Sequence, residues 1–370
     1  MTKLMTYVKK QPVLCIAFAA MLITCLFVRP DREYIGYFDI KTLACLFCTL
    51  EVVCGFARIH TFELAAEKIV QKLNNTRNVI IGVVFITYVG SMLLANDMAL
   101  LTFLPLGFFV LETTGKRKYM AYTFVLQNIA ANLGGLITPF GNPQNLYLYS
   151  YYHIDTFEFI KIMFLPFFTA LILITLCCVL IPKEAMTLQQ KEPYAFHEKR
   201  TILYSILFLI SILAVLRLIP YQAATLVVTA AMIFLDKKAL RDVNYALLAT
   251  FAVFFVFSGN MARIEPIQEL FSRIIPGRTL LLGLGCCQFF SNVPTAVMLS
   301  HFTTDYSDLL VAVNIGGLGT PIASLASLIT LSEYRRHDKE HLGKYILIFL
   351  GLNLLFLMVL TLIQMLSRML

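Results

Sequence analysis

The sequence predicts an all-α polytopic membrane protein built from two inverted repeats. Hydrophobic residues make up 59% of its 370 positions and charged residues only 14%, whereas about a quarter of an ordinary soluble domain is charged. Two stretches rich in glycine, proline and small polar residues interrupt apolar sequence, NLGGLITPFGNPQN at 132–145 and NIGGLGTPIASLAS at 314–327. Asparagine, two glycines, leucine, threonine and proline recur in the same register in both. Paired interruptions of this kind predict the binding site of a secondary transporter.

Apolar stretches long enough to cross a bilayer follow one another along the chain. A crossing helix needs about 17 to 25 apolar residues, which predicts about nine crossings. They lie near residues 12–28, 40–57, 119–150, 158–181, 201–219, 221–236, 242–258, 307–331 and 344–366. The third and the eighth are predicted to be broken helices, because they contain the two interruptions. A broken helix at membrane depth needs protein or water around its freed backbone groups.

Two further apolar segments, 78–113 and 279–301, are predicted to be re-entrant hairpins. Each carries a polar kink in its middle, at residues 96–97 and 291–292 respectively. The second segment is too short for two full crossings at about 1.5 Å per residue. The first is longer, so two full crossings stay open as an alternative there.

The repeats divide the chain into three parts. We predict a first repeat over residues 1–181, a linker with a bridging helix over 182–220, and a second repeat over 221–370. An odd number of predicted crossings separates the helix after Asp39 from its counterpart after Asp242, which inverts the second repeat. Most lysines and arginines fall in loops on one face, which predicts that this face is cytoplasmic. We therefore expect a cytoplasmic N-terminus, an external C-terminus and a location in the cytoplasmic membrane.

Some segments are expected outside the hydrocarbon core. Apolar residues recur at helical spacing in 61–75 and 265–275, just before each hairpin, and we expect both segments to lie along the membrane surface. His337 and His341 are spaced for one helical face, but charged neighbours surround them. We interpret them as part of a solvated loop rather than a metal site.

The hairpins and broken helices bring half-helix ends into the membrane. Helix N-termini offer N–H groups and partial positive charge to an anion, and C-termini offer carbonyl oxygens to a cation. Neutral polar side chains there can bind an anion without the cost of a buried charge. Candidates for substrate binding are Asn96, Asn142, Asn145, Asn292, Thr295, Thr320 and Ser324. The alternative is that these groups only hold helices together.

Two acidic residues are candidates for coupling transport to a cation. Asp97 is the only carboxylate at either predicted hairpin tip, where an ionised carboxylate is costly without a cation or a donor. It can bind a coupling cation, take a proton, or simply cap the second half-helix. Glu51 lies within the second predicted crossing, and either a proton or cation role or a packing partner fits it.

Four motifs carry a resemblance to a known family. They are ANDMALLTFLPL from Ala95, GGLITPFGNPQNLYLY from Gly134, SNVPTAVML from Ser291 and GGLGTPIASLASL from Gly316. In this order they resemble the ion transporter superfamily of citrate-transporter-like permeases, from about Asp39 onward. That superfamily includes divalent anion:sodium symporters and arsenite/antimonite efflux permeases. The resemblance implies a secondary-active, ion-coupled transporter of a small carboxylate or inorganic oxyanion, with elevator-type movement.

The resemblance also implies roles for individual residues. In the symporters the hairpin tips contact the substrate carboxylate, and each tip with its broken-helix loop holds a sodium ion. This adds Ser291 to the substrate-binding candidates. The coupling-ion residues it implies are Asp97, Asn96, Thr138, Gly141, Asn292 and Gly319.

Departures from the symporter pattern keep several functions open. The first tip, Ala95-Asn96-Asp97, resembles the arsenite permeases, whereas the loop 141–145 resembles the symporters. The alternatives are therefore an arsenite/antimonite efflux permease, a cation/proton antiporter of the same superfamily and, more distantly, a passive anion channel. Either Na⁺ or H⁺ fits as the coupling ion.

Other function classes find little support in the sequence. Basic residues lie in short loops rather than on one stripe, so no nucleic-acid partner is expected. The nine cysteines are scattered through apolar sequence, which indicates packing rather than disulfides or a metal site. No hydrolase or metalloprotease motif occurs, so neither an enzyme nor a cofactor is expected. The expected partners are a small anionic substrate, the coupling ion and the lipid bilayer, and both a monomer and a homodimer fit.

Overall fold

The computed structural model describes residues 12–61, 64, 73–185 and 197–368. Over these residues the protein is helical, and its only β-type pairing is one isolated bridge between Asn75 and Ala185. The prediction of an all-α polytopic membrane protein is confirmed. Most of the predicted surface segment 61–75 lies outside the described residues.

Seven α-helices lie among the described residues of the first half of the chain. They are α1 (Pro12–Phe27), α2 (Ile40–Arg58), α3 (Thr76–Leu93), α4 (Asn96–Thr113), α5 (Met120–Gly134), α6 (Pro143–Tyr151) and α7 (Thr156–Val179). The second half adds α8 (Glu198–Val215), α9 (Tyr221–Leu235), α10 (Lys237–Asp242), α11 (Tyr245–Arg263), α12 (Glu265–Ile274), α13 (Thr279–Phe290), α14 (Asn292–Ser300), α15 (Tyr306–Ile315), α16 (Leu325–His337) and α17 (Leu342–Ser367). Short 3₁₀ turns lie at Arg32–Tyr37, Arg117–Tyr119 and Gly135–Ile137.

Every predicted crossing contains helix, but the helices differ in length. Among the described residues, α2, α3, α7, α11 and α17 are long and apolar enough to cross a membrane. Shorter apolar helices are Leu14–Phe27, α9, α13 and α15. The count of nine crossings stays a prediction. The second broken helix is longer than predicted, because α16 continues through charged residues to His337.

The two predicted hairpins differ in size. The first consists of α3 and α4, each 18 residues and therefore about 27 Å long. The second consists of α13 and α14, with 12 and 9 residues, which are about 18 and 14 Å long, well short of a hydrocarbon core of about 30 Å. These lengths fit a re-entrant hairpin for α13–α14. The longer pair fits either a hairpin or two crossings, and both return the chain to the face where it entered.

The two broken helices run antiparallel. The first consists of α5 and α6 and the second of α15 and α16. At one end of the molecule, the Tyr152 hydroxyl after α6 donates to the Thr303 carbonyl before α15, at 2.7 Å. At the other end, Arg117 before α5 donates to the carbonyl of His337, the last residue of α16, at 2.5 Å. Antiparallel broken helices are the arrangement expected of inverted repeats.

The ends of α2 and α11 show that these two helices also run antiparallel. Arg58, the last residue of α2, pairs with Asp236 at 2.9 Å and with Asp242 at 3.0 Å, just before α11 begins. Arg263, the last residue of α11, pairs with Asp31 at 2.6 Å, shortly before α2 begins. Each helix therefore ends beside the start of the other.

The broken helices form the centre of the molecule. All but one of the residues of α5 are buried, whereas α17 exposes many apolar side chains along its length. Gly134 allows the closest approach, because a Cβ atom there would lie 2.1 Å from the carbonyl oxygen of Tyr88 in α3. The polar interruptions are therefore enclosed by packed helices, as freed backbone groups at membrane depth require.

Candidate functional site

The two kinks form matching tips, which we call tip 1 (residues 95–97) and tip 2 (residues 291–293). In tip 1 the side-chain oxygen of Asn96 accepts from the N–H of Asp97 at 2.9 Å. In tip 2 the side-chain oxygen of Asn292 accepts from the N–H of Val293, also at 2.9 Å. The two asparagines therefore play the same local role, because each accepts from the N–H group of the second residue of its helix, α4 or α14.

In each half, the hairpin is hydrogen-bonded at or just before its tip to the loop of the broken helix that follows it. We call these loops loop 1 (residues 138–142) and loop 2 (residues 316–324). The Thr138 hydroxyl in loop 1 donates to the Met92 carbonyl just before tip 1, at 2.9 Å. The N–H of Asn292 in tip 2 donates to the Ala323 carbonyl in loop 2, at 2.9 Å. The structure therefore contains two half-sites, each made of one tip and one loop.

Tip 2 has a strained backbone at Ser291. Its φ of 72° and ψ of 159° fall in a region that is essentially restricted to glycine. The Ser291 hydroxyl donates to the Ala323 carbonyl at 3.3 Å. Such strain persists only where surrounding contacts enforce it, and it concentrates at functional sites.

The two half-sites meet at Asn132, near the end of α5. The Asn96 side chain donates to the Asn132 side-chain oxygen at 3.2 Å. Gly317 in loop 2 lies beside the same group, because a Cβ atom there would lie 3.0 Å from the Asn292 amide nitrogen and 3.4 Å from the Asn132 oxygen. Both tip asparagines and loop 2 therefore surround one buried amide.

Asn314, the counterpart of Asn132 in the second repeat, joins α15 to the first broken helix. Its amide nitrogen donates to the Asn145 side-chain oxygen at 2.5 Å. Its side-chain oxygen accepts from Asn142 at 3.3 Å and from Gln144 at 3.1 Å. We call the side chains of Asn132, Asn142, Gln144, Asn145 and Asn314 the amide cluster. All five are buried.

Sequence reasoning missed three members of the amide cluster, Asn132, Asn314 and Gln144. Asn132 and Asn314 are the first residues of the repeated motif, in identical register, so the repeat itself could have identified them as site residues. Gln288 in α13 was also missed. It donates to the carbonyls of Gly316 and Leu318, both at 3.0 Å, and accepts from the N–H of Thr320 at 2.9 Å. No repeat pointed to it, because it reaches loop 2 from a different helix.

Asn145 serves loop 1 as Gln288 serves loop 2. Its amide nitrogen donates to the carbonyls of Gly135 at 3.1 Å and Thr138 at 3.3 Å. The predicted glycines are tightly packed in the same loops. Gly319 has a φ of 103°, and a Cβ atom at Gly141 would lie 2.5 Å from the Gly135 carbonyl oxygen. The loops are therefore held in a fixed shape by side-chain amides.

Four helices begin at this centre, namely α4, α6, α14 and α16. In the described structure the residues that precede α4, α6 and α14 make no side-chain capping bond, whereas Ser324 caps α16 by accepting from the N–H of Ser327 at 3.2 Å. A helix N-terminus carries unpaired N–H groups and a partial positive charge. Four of them around neutral amides create a setting that favours an anion.

Asp97 places one carboxylate in this setting. Its side chain is 3% exposed, and its Oδ1 atom accepts from the N–H of Met98 at 3.0 Å. No ion pair joins Asp97 to a lysine, arginine or histidine among the described residues. A cavity of about 670 Å³ lies beside it, lined by Met98 and Leu101 of α4, by Arg58 of α2 and by residues 242–246.

The remaining candidates occupy different surroundings. Thr295 in α14 lies beside the buried Cys287 thiol, and Thr320 donates to the Gln288 carbonyl at 3.2 Å. Glu51 lies in α2 outside the amide cluster. One of its carboxylate oxygens accepts from Thr229 at 2.9 Å, and the other has no partner among the described residues.

The interpretation of His337 as part of a solvated loop is wrong. His337 ends α16, where its ring stacks on Phe108 with a centroid distance of 3.6 Å and lies 3.0 Å from Glu333. The helix continues because α16 packs against α4 up to this point. In the described part of the chain, no group of three or more His, Cys, Asp or Glu residues could hold a metal ion.

The chain is similar to known membrane transport proteins. A family model described as Citrate transporter matches residues 4–306. The uncharacterized transporter MJ0456 of Methanocaldococcus jannaschii is 30% identical over 311 residues, which cover 83% of this chain and 84% of that one. Inner membrane protein YbiR of Escherichia coli is 27% identical over 279 residues, or 73% of each chain.

A solved structure shares the fold. The YdaH transporter of Alcanivorax borkumensis, whose crystal structure has an unusual topology, matches with a TM-score of 0.51 and 13% identity over 90% of this chain and 86% of that one. The resemblance to citrate-transporter-like permeases is confirmed by the family match, which covers most of the chain. This multi-pass membrane protein therefore belongs to the citrate transporter family.

Proposed function

We propose that this protein is a secondary-active transporter that carries a small anion, a carboxylate or an inorganic oxyanion, across the cytoplasmic membrane. The observation that carries the proposal is that the N-termini of α4, α6 and α14 meet at the amide cluster, with the N-terminus of α16 next to tip 2. Backbone N–H groups and neutral amides can replace the water around an anion without a buried cation. The family's name supports a carboxylate such as citrate as the first candidate substrate.

The bound anion is expected to lie between the tips. Asn96 and Asn292 approach the centre from opposite half-sites, and Thr295 and Ser324 follow them on α14 and α16. Both tip asparagines use their side-chain oxygens locally, which directs their amide nitrogens towards the centre. Truncation of either asparagine therefore removes a donor to the anion.

Asp97 supports a coupling of anion transport to Na⁺ or H⁺. An anion close to an ionised, buried carboxylate is repelled, so productive binding requires either a cation at Asp97 or its protonation. The side-chain oxygen of Asn142 has no partner among the described residues and is available to a cation. Thr138 and Gly141 in loop 1 would supply oxygens to an ion at tip 1, and Gly319 in loop 2 would supply one to an ion at tip 2.

Elevator-type movement is part of the proposal. Each unit of one hairpin and one broken helix would move against the surrounding helices, as the family resemblance implies. Met98, the neighbour of Asp97, and Arg58 both line the cavity of about 670 Å³, which supports a route from tip 1 towards the face that carries Arg58. That face is the one that the basic loops predict to be cytoplasmic.

The test is accumulation of labelled citrate, succinate, sulfate or phosphate in proteoliposomes under a Na⁺ or H⁺ gradient. We expect accumulation of at least one of these anions, and its loss in Asn292→Ala with normal expression. The matched control is Asn74→Ala, an exposed asparagine far along the chain from the tips. Flux of an anion without accumulation under either gradient would instead support a passive channel.

An arsenite or antimonite permease is the second candidate. The Ala95-Asn96-Asp97 tip favours this function. The buried Cys287 thiol beside Thr295 also favours it, since thiols bind such metalloids. Gradient-driven efflux of arsenite that is lost in Cys287→Ser, without transport of carboxylates, would establish this function. Exchange of Na⁺ for H⁺ with no anion present would point to an antiporter.

A further inference from the structure

A second cavity lies at the end of the molecule where α5 begins and α16 ends. Its volume is about 720 Å³, within the range of about 300 to 1,000 Å³ that is usual for small-molecule sites. Five basic side chains line it, Arg117, Lys118, Arg336, Lys339 and Lys344. Only two carboxylates, Asp338 and Glu340, line it with them. The cavity is therefore strongly basic.

Part of this positive charge is already used by the protein. Lys118 pairs with Glu184 at 2.8 Å, and Arg117 donates to the His337 carbonyl. Lys339 and Lys344, by contrast, form no ion pair with any residue that the structure describes. Asp338 is engaged by His341 at 3.0 Å. Two lysines therefore face the cavity without an ion pair, and Glu340 is the one cavity carboxylate that forms no ion pair with the described residues.

A long helix also begins at this cavity. Helix α17 starts at Leu342, and His341 before it makes no side-chain capping bond in the described structure. The N-terminus adds unpaired N–H groups and partial positive charge to the charge of the lysines. Together these groups form the combination that binds phosphate oxygens in proteins.

We propose that this cavity binds a phosphate-bearing anion, held by Lys339, Lys344 and the N-terminus of α17. Basic pockets between membrane helices on the cytoplasmic side bind phospholipid headgroups, and a soluble phosphate compound offers the same oxygens. The site is separate from the amide cluster, because Ala121 at the cavity and Asn132 lie about 17 Å apart along α5. An anion here would lie between the α4–α5 turn of one repeat and the α16–α17 connection of the other, because Arg117 and Lys118 line the same cavity.

The test compares Lys339→Gln/Lys344→Gln with Lys237→Gln/Lys238→Gln. The second pair is exposed on α10, also in a loop predicted to be cytoplasmic, and removes the same charge outside the cavity. The chain has no tryptophan, so the folded fraction after heating is best followed by size-exclusion chromatography. One arm adds inorganic pyrophosphate to the full-length protein in neutral detergent. The other places it in nanodiscs of phosphatidylcholine with or without phosphatidylglycerol.

We expect stabilisation of the wild type and of Lys237→Gln/Lys238→Gln. Binding should be about thirtyfold weaker in Lys339→Gln/Lys344→Gln, since each of the two lysines near such a surface contributes about 1 kcal/mol. Stabilisation by pyrophosphate identifies a soluble anion, and stabilisation only by phosphatidylglycerol identifies a headgroup. Either result supports the site. If Lys339→Gln/Lys344→Gln is already less stable without any ligand, Lys339→Arg/Lys344→Arg is compared instead. It keeps both charges and should bind the anion as the wild type does.

Three results would overturn the site. The first is no stabilisation of the wild type by either probe, and the second is an equal response of Lys339→Gln/Lys344→Gln and the wild type. The third is loss of the response in Asn292→Ala, because the anion would then occupy the proposed transport site. The binding measurement requires no transport, so its failure leaves the proposed transport function untouched.

Discussion

At the scale of single residues, Asp97 is the point where the proposed coupling can be separated from folding. Asp97→Asn keeps the size of the side chain and an oxygen that can accept from the Met98 N–H, but it removes the charge. We expect gradient-driven accumulation to fall by about tenfold or more, which corresponds to a coupling free energy of roughly 1.4 kcal/mol. Uptake in proteoliposomes with and without a Na⁺ or H⁺ gradient measures it.

The matched control for Asp97→Asn is Asp305→Asn. Asp305 caps α15 by accepting from the N–H of Asp308 at 3.1 Å and lies outside the amide cluster. Unchanged coupling in Asp97→Asn would show that Asp97 only caps α4. Glu51, whose second carboxylate oxygen has no partner among the described residues, would then be the next residue to test.

Ser291 carries a prediction about stability. Glycine adopts the backbone angles of Ser291 without strain, whereas a β-branched side chain at positive φ is an extreme outlier. We expect Ser291→Gly to be tolerated and Ser291→Val to lower the free energy of unfolding by about 2 kcal/mol or more. Heating followed by size-exclusion chromatography compares the variants in detergent. Equal stability of Ser291→Val and the wild type would mean that the tip relaxes freely.

At the scale of elements, the connection after α7 is fixed by one carboxylate. Glu184 pairs with Lys116 at 2.6 Å and with Lys118 at 2.8 Å, and it accepts from the Tyr119 hydroxyl at 2.5 Å. These contacts, with Lys116 first, lower the pKa of Glu184 from its ordinary 4.5 to about 2. The ionised form is therefore favoured in the folded protein.

A pH dependence of stability follows from the lowered pKa of Glu184. A carboxylate with a lowered pKa stabilises the fold above its unfolded value, and this contribution disappears as the pH falls towards the folded value. The difference in melting temperature between the wild type and Glu184→Gln should therefore be largest above about pH 4.5 and vanish near pH 2. The matched control is Glu198→Gln, which removes an exposed carboxylate in the first turn of α8. A difference independent of pH would contradict the ion pairs.

The sequence predicted elements better than the contacts between them. Hydropathy and the repeated motif located every helix of the two half-sites. Glycine and proline interruptions can be recognised from local sequence alone, without knowing which helices pack together. The amide contacts of Gln288 and Asn314 were not predicted, since they depend on where separate helices meet. The strain at Ser291 was not predicted either, because serine carries no preference for positive φ.

At the scale of the whole molecule, the orientation in the membrane is the main prediction still to be tested. A single cysteine in the loop 116–118 of a cysteine-free variant should react only from the cytoplasm, and one at 302–306 only from outside. The structure supports such a background, because all nine native cysteines are free. The two loops lie at opposite ends of the antiparallel broken helices. Labelling of both positions from the same side would contradict the inverted repeats.

The bonds of Asn314 also limit how the protein can open. They cross the seam between the two repeats, and parting the repeats there would leave several buried amides unpaired, at about 1 to 3 kcal/mol each. We therefore expect no hinge between the two repeats, because separating them along the pseudo-symmetry axis would break these bonds. Under the proposed transport function, an anion would therefore pass between the joined broken helices and the helices that enclose them.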